Sequence, residues 1–293
     1  MTTPASATRP LVIAHRGDWL EGDDPRPQNS LVAVLSALGA GADGAEVDAR
    51  LSANGTVVLH HDAGIGRADI EAGCDAPEGA PICALADAAL RHLGTLAELL
   101  ARLAERSTTT RSGGWLGPVV LNIELKDLPG EPGWASRYLL ARHVAGLLDA
   151  SHLASAALCQ QLRPGFGAAP SPSSPPVALS PEVPSSLEVI VSSFDPGALD
   201  HFRRYSPGTT TALLLEEGDD WRYHLDRTEG LSAVNPEDVM AVPELFATAA
   251  SRGLAVIPWT VDSADRALQL AALGAAGLIT NRPRALLEAL SRV

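Results

Sequence analysis

The chain has little cysteine and comparatively little positive charge. Its three cysteines, Cys74, Cys83 and Cys159, form no C-x-x-C pair among 293 residues, so neither a disulfide framework nor a zinc knuckle is expected. A reducing compartment fits that pattern. The 22 Lys and Arg stand against 35 Asp and Glu, a formal charge of -13. DNA, RNA or an anionic bilayer would each call for a dominant basic face, so a nucleic-acid partner is not expected. No apolar run approaches the length of a membrane span, and no stable membrane insertion is expected either. The opening MTTPASATRP lacks a basic stretch leading into an apolar one, which makes the cytoplasm the expected location. Oligomeric state leaves no signal in the sequence.

What is present is alternation. Short β-rich apolar runs recur at Leu11–Ala14, Ala45–Leu51, Val119–Leu125, Leu187–Ser192, Thr210–Leu215, Leu231–Val234, Leu254–Val261 and Gly277–Thr280. Alanine- and leucine-rich stretches of helical spacing lie between several of them, as at 30–39, 95–105, 134–149, 239–252 and 264–273. Strand and helix in turn specify a parallel α/β fold, and eight runs suggest a closed (β/α)8 barrel spanning 1–293 as one domain. The run Thr56–Leu59 follows the second strand after four residues and reads as a hairpin extension. Two stretches break the rhythm. Residues 164–186, dense in Pro, Ser, Gly and Ala, read as a surface loop. Residues 63–93 read as an insertion that is either a cap over the barrel mouth or an ornamental loop.

Polar residues cluster where apolar strands end. Strand alternation puts Glu46 and Asp48 on one face, and likewise Asn122, Glu124 and Lys126. Charges on such a face are costly unless paired or metal-bound. Glu46, Asp48 and Glu124 offer the hard oxygen ligands that suit Mg²⁺ or Ca²⁺; buried ion pairs, such as Lys126 with Glu124, are the alternative for any one of them alone. His15 closes the first run and His60-His61-Asp62 closes Thr56–Leu59. Imidazoles beside carboxylates suit general acid and base work, and only one of the adjacent pair can face a site.

Eight segments in order, His15-Arg16-Gly17, Pro27-Gln28-Asn29-Ser30, Glu46-Val47-Asp48, His61-Asp62, Asn122-Ile123-Glu124-Leu125-Lys126, Ser193-Phe194-Asp195, Trp259-Thr260-Val261-Asp262 and Ile279-Thr280-Asn281-Arg282-Pro283, resemble the motifs of the glycerophosphodiester phosphodiesterase family. The resemblance spans nearly the whole chain. It implies a TIM barrel of the PLC-like phosphodiesterase type that hydrolyses glycerophosphodiesters to an alcohol and sn-glycerol 3-phosphate with a divalent cation, Mg²⁺, Ca²⁺ or Mn²⁺. It makes Glu46, Asp48 and Glu124 metal ligands, and His15 and His61 the general base and acid. Arg16 and Lys126 would contact phosphate, with Asn29, Phe194 and Trp259 also at the substrate.

The chain departs from those motifs in places. Gln28 stands where the family usually has Glu, and Asn281 where Asp is common. The loop at 18–26 is longer and more acidic than expected, and the segment after His61-Asp62 keeps Arg67 but lacks the usual threonines. None of these removes a proposed acid, base or metal ligand. A lysophospholipase D-like activity and a barrel that only binds a phosphorylated ligand are the competing expectations.

Overall fold

A computed structural model describes residues 9–21, 26–107, 119–133, 138–150 and 187–291. The strands are β1 (Leu11–His15), β2 (Gly44–Leu51), β3 (Val57–Leu59), β4 (Val119–Leu125), β5 (Leu187–Ser193), β6 (Thr210–Leu215), β7 (Ala233–Pro236), β8 (Ala255–Val256) and β9 (Gly277–Thr280). The helices are α1 (Leu31–Gly39), α2 (Arg67–Glu71), α3 (Leu96–Ser107), α4 (Leu139–Ala150), α5 (Pro196–Tyr205), α6 (Trp221–Arg227), α7 (Pro243–Ser251), α8 (Ala264–Ala272) and α9 (Pro283–Leu290).

Eight parallel strands run in the order β8-β7-β6-β5-β4-β2-β1-β9. Backbone hydrogen bonds from Ala276 N to Val256 O and from Ile279 N to Pro258 O, both 2.9 Å, bring the two ends together. The result is a nearly closed TIM barrel, as the alternation of runs predicts. β3 pairs antiparallel with β2, Ala49 opposite Leu59, which is the hairpin extension. The 164–186 stretch lies outside the described residues. No described helix is long and apolar enough to cross a membrane.

Two of the eight strands differ from their sequence-based limits by more than one residue. β7 lies two residues later than Leu231–Val234, and β8 is shorter than Leu254–Val261. Pro258 has no N–H to donate, so the ladder there gives way to single bonds, Trp259 N to Pro236 O and Val261 N to Ile279 O, each 2.9 Å. Residues 63–93 hold α2, two short 3₁₀ turns and a small apolar cluster of their own around Ile65, Cys74, Ile82 and Leu90.

Alternation sorts the strand side chains into two populations. One set, including Val12, Val47, Leu121, Ile123 and Val191, packs outward under the helices. The inward set begins as an apolar plug of Ile13, Val120, Ile190, Ala212, Ala233, Ala255, Ile257 and Ile279. One rung nearer the C-terminal ends, the inward positions on β1, β2, β4 and β5 become His15, Glu46, Asn122 and Ser192. The barrel interior is thus sealed below and polar above, which places chemistry at one end only.

Gly44 sets the spacing beneath that polar rung. It pairs with Val120, and a Cβ there would lie 2.2 Å from the Val120 carbonyl oxygen. Backbone must move to admit it. Gly44→Ala is therefore expected to cost ~2 kcal/mol or more of stability, read as a lowered Tm in thermal unfolding; an unchanged Tm would show that β2 and β4 can part freely.

Candidate active site

β1 ends at His15, and the chain then turns through left-handed backbone at Arg16 (φ 57°) and Gly17 (φ 84°). Gly17 is required, because a Cβ there would sit 2.5 Å from the Ala33 carbonyl carbon. The turn aims the Arg16 N–H at Glu46 Oε2, 3.0 Å away. It also lays the Arg16 guanidinium against Asp48, Nε to Oδ2 at 3.1 Å, where Nη1 donates to Gln28 Oε1 at 2.8 Å.

β2 and β4 pair with Glu46 opposite Asn122 and Asp48 opposite Glu124. One oxygen from each of Glu46, Asp48 and Glu124 lies within 4.8 Å of the others, the one such acidic or metal-ligating group among the described residues. All three are buried. Glu46 Oε1 and the neighbouring Asn122 Oδ1 accept no hydrogen bond. Lys126 Nζ stands at ion-pair distance, 2.6 Å from Glu124 Oε1 and 3.2 Å from Asp48 Oδ1. Burial and the neighbouring Asp48 charge push the Glu124 carboxyl up to about 7. Burial, with Asp48 and Glu124, raises Glu46 well above the usual carboxylate range. Against its own burial, Lys126 and Arg16 hold Asp48 below that range. Converging buried carboxylate oxygens, crowded with negative charge, suit a hard divalent cation. The ion-pair alternative is also realised, since Lys126 serves as the resident counter-charge.

Two imidazoles flank this group. His15 donates or accepts at Nδ1 with Asn281 Oδ1, 2.8 Å away, and its Nε2 lies 3.9 Å from Glu46 Oε2. Burial, then Arg16, pulls its pKa down to about 4. His61 Nδ1 meets Asp62 Oδ1 at 2.7 Å, and burial lowers its pKa against the pull of Asp48. His60 turns away to Asp69, 3.1 Å from Oδ2. One cavity of about 320 Å³ is lined by His15, Arg16, Glu46, His61, Glu124, Lys126, Phe194 and Trp259. Phe194 and Trp259 meet edge to face with ring centroids 5.6 Å apart, and the indole N–H donates to Asn235 O at 2.8 Å.

Asp48 and Asn29 are not in the cavity wall. Asn29 clasps Asp48 from behind, Nδ2 to Oδ2 at 2.8 Å and Asp48 N to Oδ1 at 2.9 Å, so its side chain supports a carboxylate rather than facing the cavity.

Arg50 is missing from the sequence-based set. It buries its guanidinium between the two loops, donating from Nε to His61 O at 2.9 Å and from Nη1 to Lys126 O at 3.2 Å. Glu131 grips the same group with both oxygens, at 2.9 and 3.0 Å. The period-two spacing Glu46, Asp48, Arg50 was the available signal.

The family model described as the glycerophosphoryl diester phosphodiesterase family matches residues 15–113 and 181–285. The curated glycerophosphodiester phosphodiesterase of Caldanaerobacter subterraneus is 24% identical over 284 residues, covering 95% of this chain and 96% of that protein. Among solved structures, an Oleispira antarctica phosphodiesterase in complex with the product sn-glycerol-3-phosphate superposes with a TM-score of 0.67 at 17% identity, covering 97% of each chain. A Parabacteroides distasonis glycerophosphodiester phosphodiesterase gives 0.67 at 19% identity, covering 97% of this chain and 98% of that one. At those identities the solved structures speak for the barrel. The matched segments begin at the histidine that ends β1, take in Glu46 and Asp48 on β2, and resume before β5 to run into α9; on that match this chain belongs to the glycerophosphoryl diester phosphodiesterase family.

Proposed function

We propose that the protein hydrolyses glycerophosphodiesters to an alcohol and sn-glycerol 3-phosphate with a divalent cation, Mg²⁺, Ca²⁺ or Mn²⁺. The observation that carries this reading is the trio of buried, converging carboxylates, two of which, Glu46 and Glu124, line one cavity with both imidazoles. Glu46, Asp48 and Glu124 would hold the cation, which supplies charge neutralisation at a phosphoryl oxygen. Arg16 and Lys126 bind the other phosphate oxygens, and Phe194 and Trp259 pack against the glycerol carbons.

The exposures of the histidines divide their roles. The His15 side chain is 17% exposed and that of His61 36%. His15, neutral with its pKa near 4, takes the proton of a substrate glycerol hydroxyl as that oxygen bonds to phosphorus. His61, nearer solvent and braced by Asp62, gives its proton to the departing alkoxide, so the alcohol leaves neutral. Water then opens the resulting cyclic phosphate with the proton transfers reversed, and one water is consumed overall. The 63–93 insertion, joined to His61 through Asp62, shapes the alcohol side of the cleft.

Glycerophosphocholine incubated with Mg²⁺ is expected to release sn-glycerol 3-phosphate, scored by a coupled dehydrogenase assay, and EDTA is expected to stop release. Lysophosphatidylcholine in parallel measures the lysophospholipase D-like alternative. Phosphate binding by calorimetry with no product under any of the three metals would leave a binding barrel and overturn the hydrolase reading.

A further inference from the structure

His15 is held from behind by a short polar chain that none of the proposed catalytic roles uses. Its Nδ1 is 2.8 Å from Asn281 Oδ1. Asn281 Nδ2 donates in turn to Asp262 Oδ2 at 2.9 Å, and the Asn281 backbone N–H donates to Asp262 Oδ1 at 2.8 Å. The Thr280 hydroxyl, which accepts from Arg282 N at 2.9 Å, gives its proton to Asp262 Oδ1 at 3.1 Å.

Donor and acceptor identities leave one consistent arrangement. Asp262 receives three donors and, as a carboxylate, only accepts. The Asn281 amide must therefore turn its NH₂ toward Asp262; turned the other way, two oxygens would face each other at 2.9 Å. That orientation puts the amide oxygen against His15, and an oxygen can only accept. The hydrogen between them belongs to Nδ1. Glu46 Oε2, 3.9 Å from Nε2, is beyond hydrogen-bond distance, so nothing in this chain of bonds competes for the second ring nitrogen.

We propose that Asp262, acting through Asn281, locks the His15 imidazole as the Nδ1–H tautomer and so keeps the Nε2 lone pair turned into the cleft. Asp262 and Asn281 are positioning residues, since neither lines the cavity. The catalytic meaning of the lock rests on the phosphodiesterase reading, because a base at this position needs a bare nitrogen facing the substrate hydroxyl. The tautomer itself does not rest on it.

The test is a two-bond ¹H–¹⁵N correlation spectrum of the full chain labelled at histidine nitrogen, at pH 7 with Mg²⁺, the His15 signal identified by its loss in His15→Gln. The wild type is expected to show protonated Nδ1 and bare Nε2 at His15. Asn281→Leu removes the acceptor, and Asp262→Ala frees the amide to rotate. Both are expected to give mixed tautomers while the other histidine signals stay in place, which reports the intact fold. In the glycerol 3-phosphate assay, Asn281→Leu should lower kcat on the order of tenfold or more with KM little changed. Protonated Nε2 in the wild type, or an unchanged His15 pattern in Asn281→Leu, overturns the proposal. A wild type that shows the expected tautomer but no turnover overturns the phosphodiesterase reading alone.

Discussion

Glu46→Gln is expected to abolish metal-dependent hydrolysis while making the metal-free protein more stable. Gln is isosteric, so its amide oxygen can still accept the Arg16 N–H that Glu46 Oε2 now accepts at 3.0 Å. What disappears is one of three carboxylates whose oxygens lie within 4.8 Å of one another. The fall in kcat/KM should be about a thousandfold, equivalent to ~4 kcal/mol of transition-state stabilisation. Relief of buried like-charge repulsion should add ~1 kcal/mol or more to the stability of the metal-free chain.

The pH dependence has a definite sign. Glu124 has its carboxyl raised from 4.5 to about 7 in the fold, so its contribution favours folding in full below about 4.5 and is lost as pH rises through 7. Glu46, also raised, acts in the same direction. The wild-type Tm without metal should therefore decline across that window, and the upward shift produced by Mg²⁺ should grow with pH. Thermal unfolding of both proteins with EDTA and with Mg²⁺ measures all of this. A Glu46→Gln protein that still gains Tm from Mg²⁺ as the wild type does would remove Glu46 from the cation site.

His61→Ala should show its full effect only when the leaving group is poor. If His61 protonates a departing alkoxide, its loss should slow glycerophosphocholine hydrolysis ~10²- to 10⁴-fold. An aryl diester such as p-nitrophenyl glycerol phosphate departs as a stable phenolate without a proton, so the same variant should lose less than about tenfold on it. His15→Ala should be damaged alike on both substrates, because attack requires the hydroxyl proton to be taken whichever group leaves. Steady-state kinetics of two variants on two substrates decide the assignment. Equal losses in His61→Ala on both would refute the acid role.

Strand-end chemistry was legible in the sequence because side-chain alternation is a rigid rule. Glu46 and Asp48 are two residues apart, as are Glu124 and Lys126, and pairing of β2 with β4 in one register is all that is needed to gather them. Limits of strands were less legible where proline intervenes, as at Pro236 and Pro258. Helices α5 and α6 carry few alanines and leucines, and what marks them is capping by Asp195 and Asp220, whose side chains accept first-turn N–H groups. Asn29 shows a different limit. Its adjacency to a motif points to the site, yet only the fold reveals that left-handed backbone at φ 60° turns its amide onto Asp48. Period-two spacing puts Arg50 on the face of Glu46 and Asp48, but nothing in the sequence shows that the carbonyls it serves lie 11 and 76 residues away.

The order of strands around the ring carries one more consequence. The three converging carboxylates and both imidazoles come from β1, β2 with its hairpin, and β4, which are contiguous in the sheet. The opposite arc, β5 to β8, contributes walls: Phe194, Leu214, Glu216 and Trp259. On the proposed roles, bond breaking and the packing of the glycerol carbons would occupy separate sectors of the circumference. Exchanges in the wall sector can reshape the grip on the substrate while the reacting groups keep their places, so a lineage built on this barrel can diversify its diet without reinventing its chemistry.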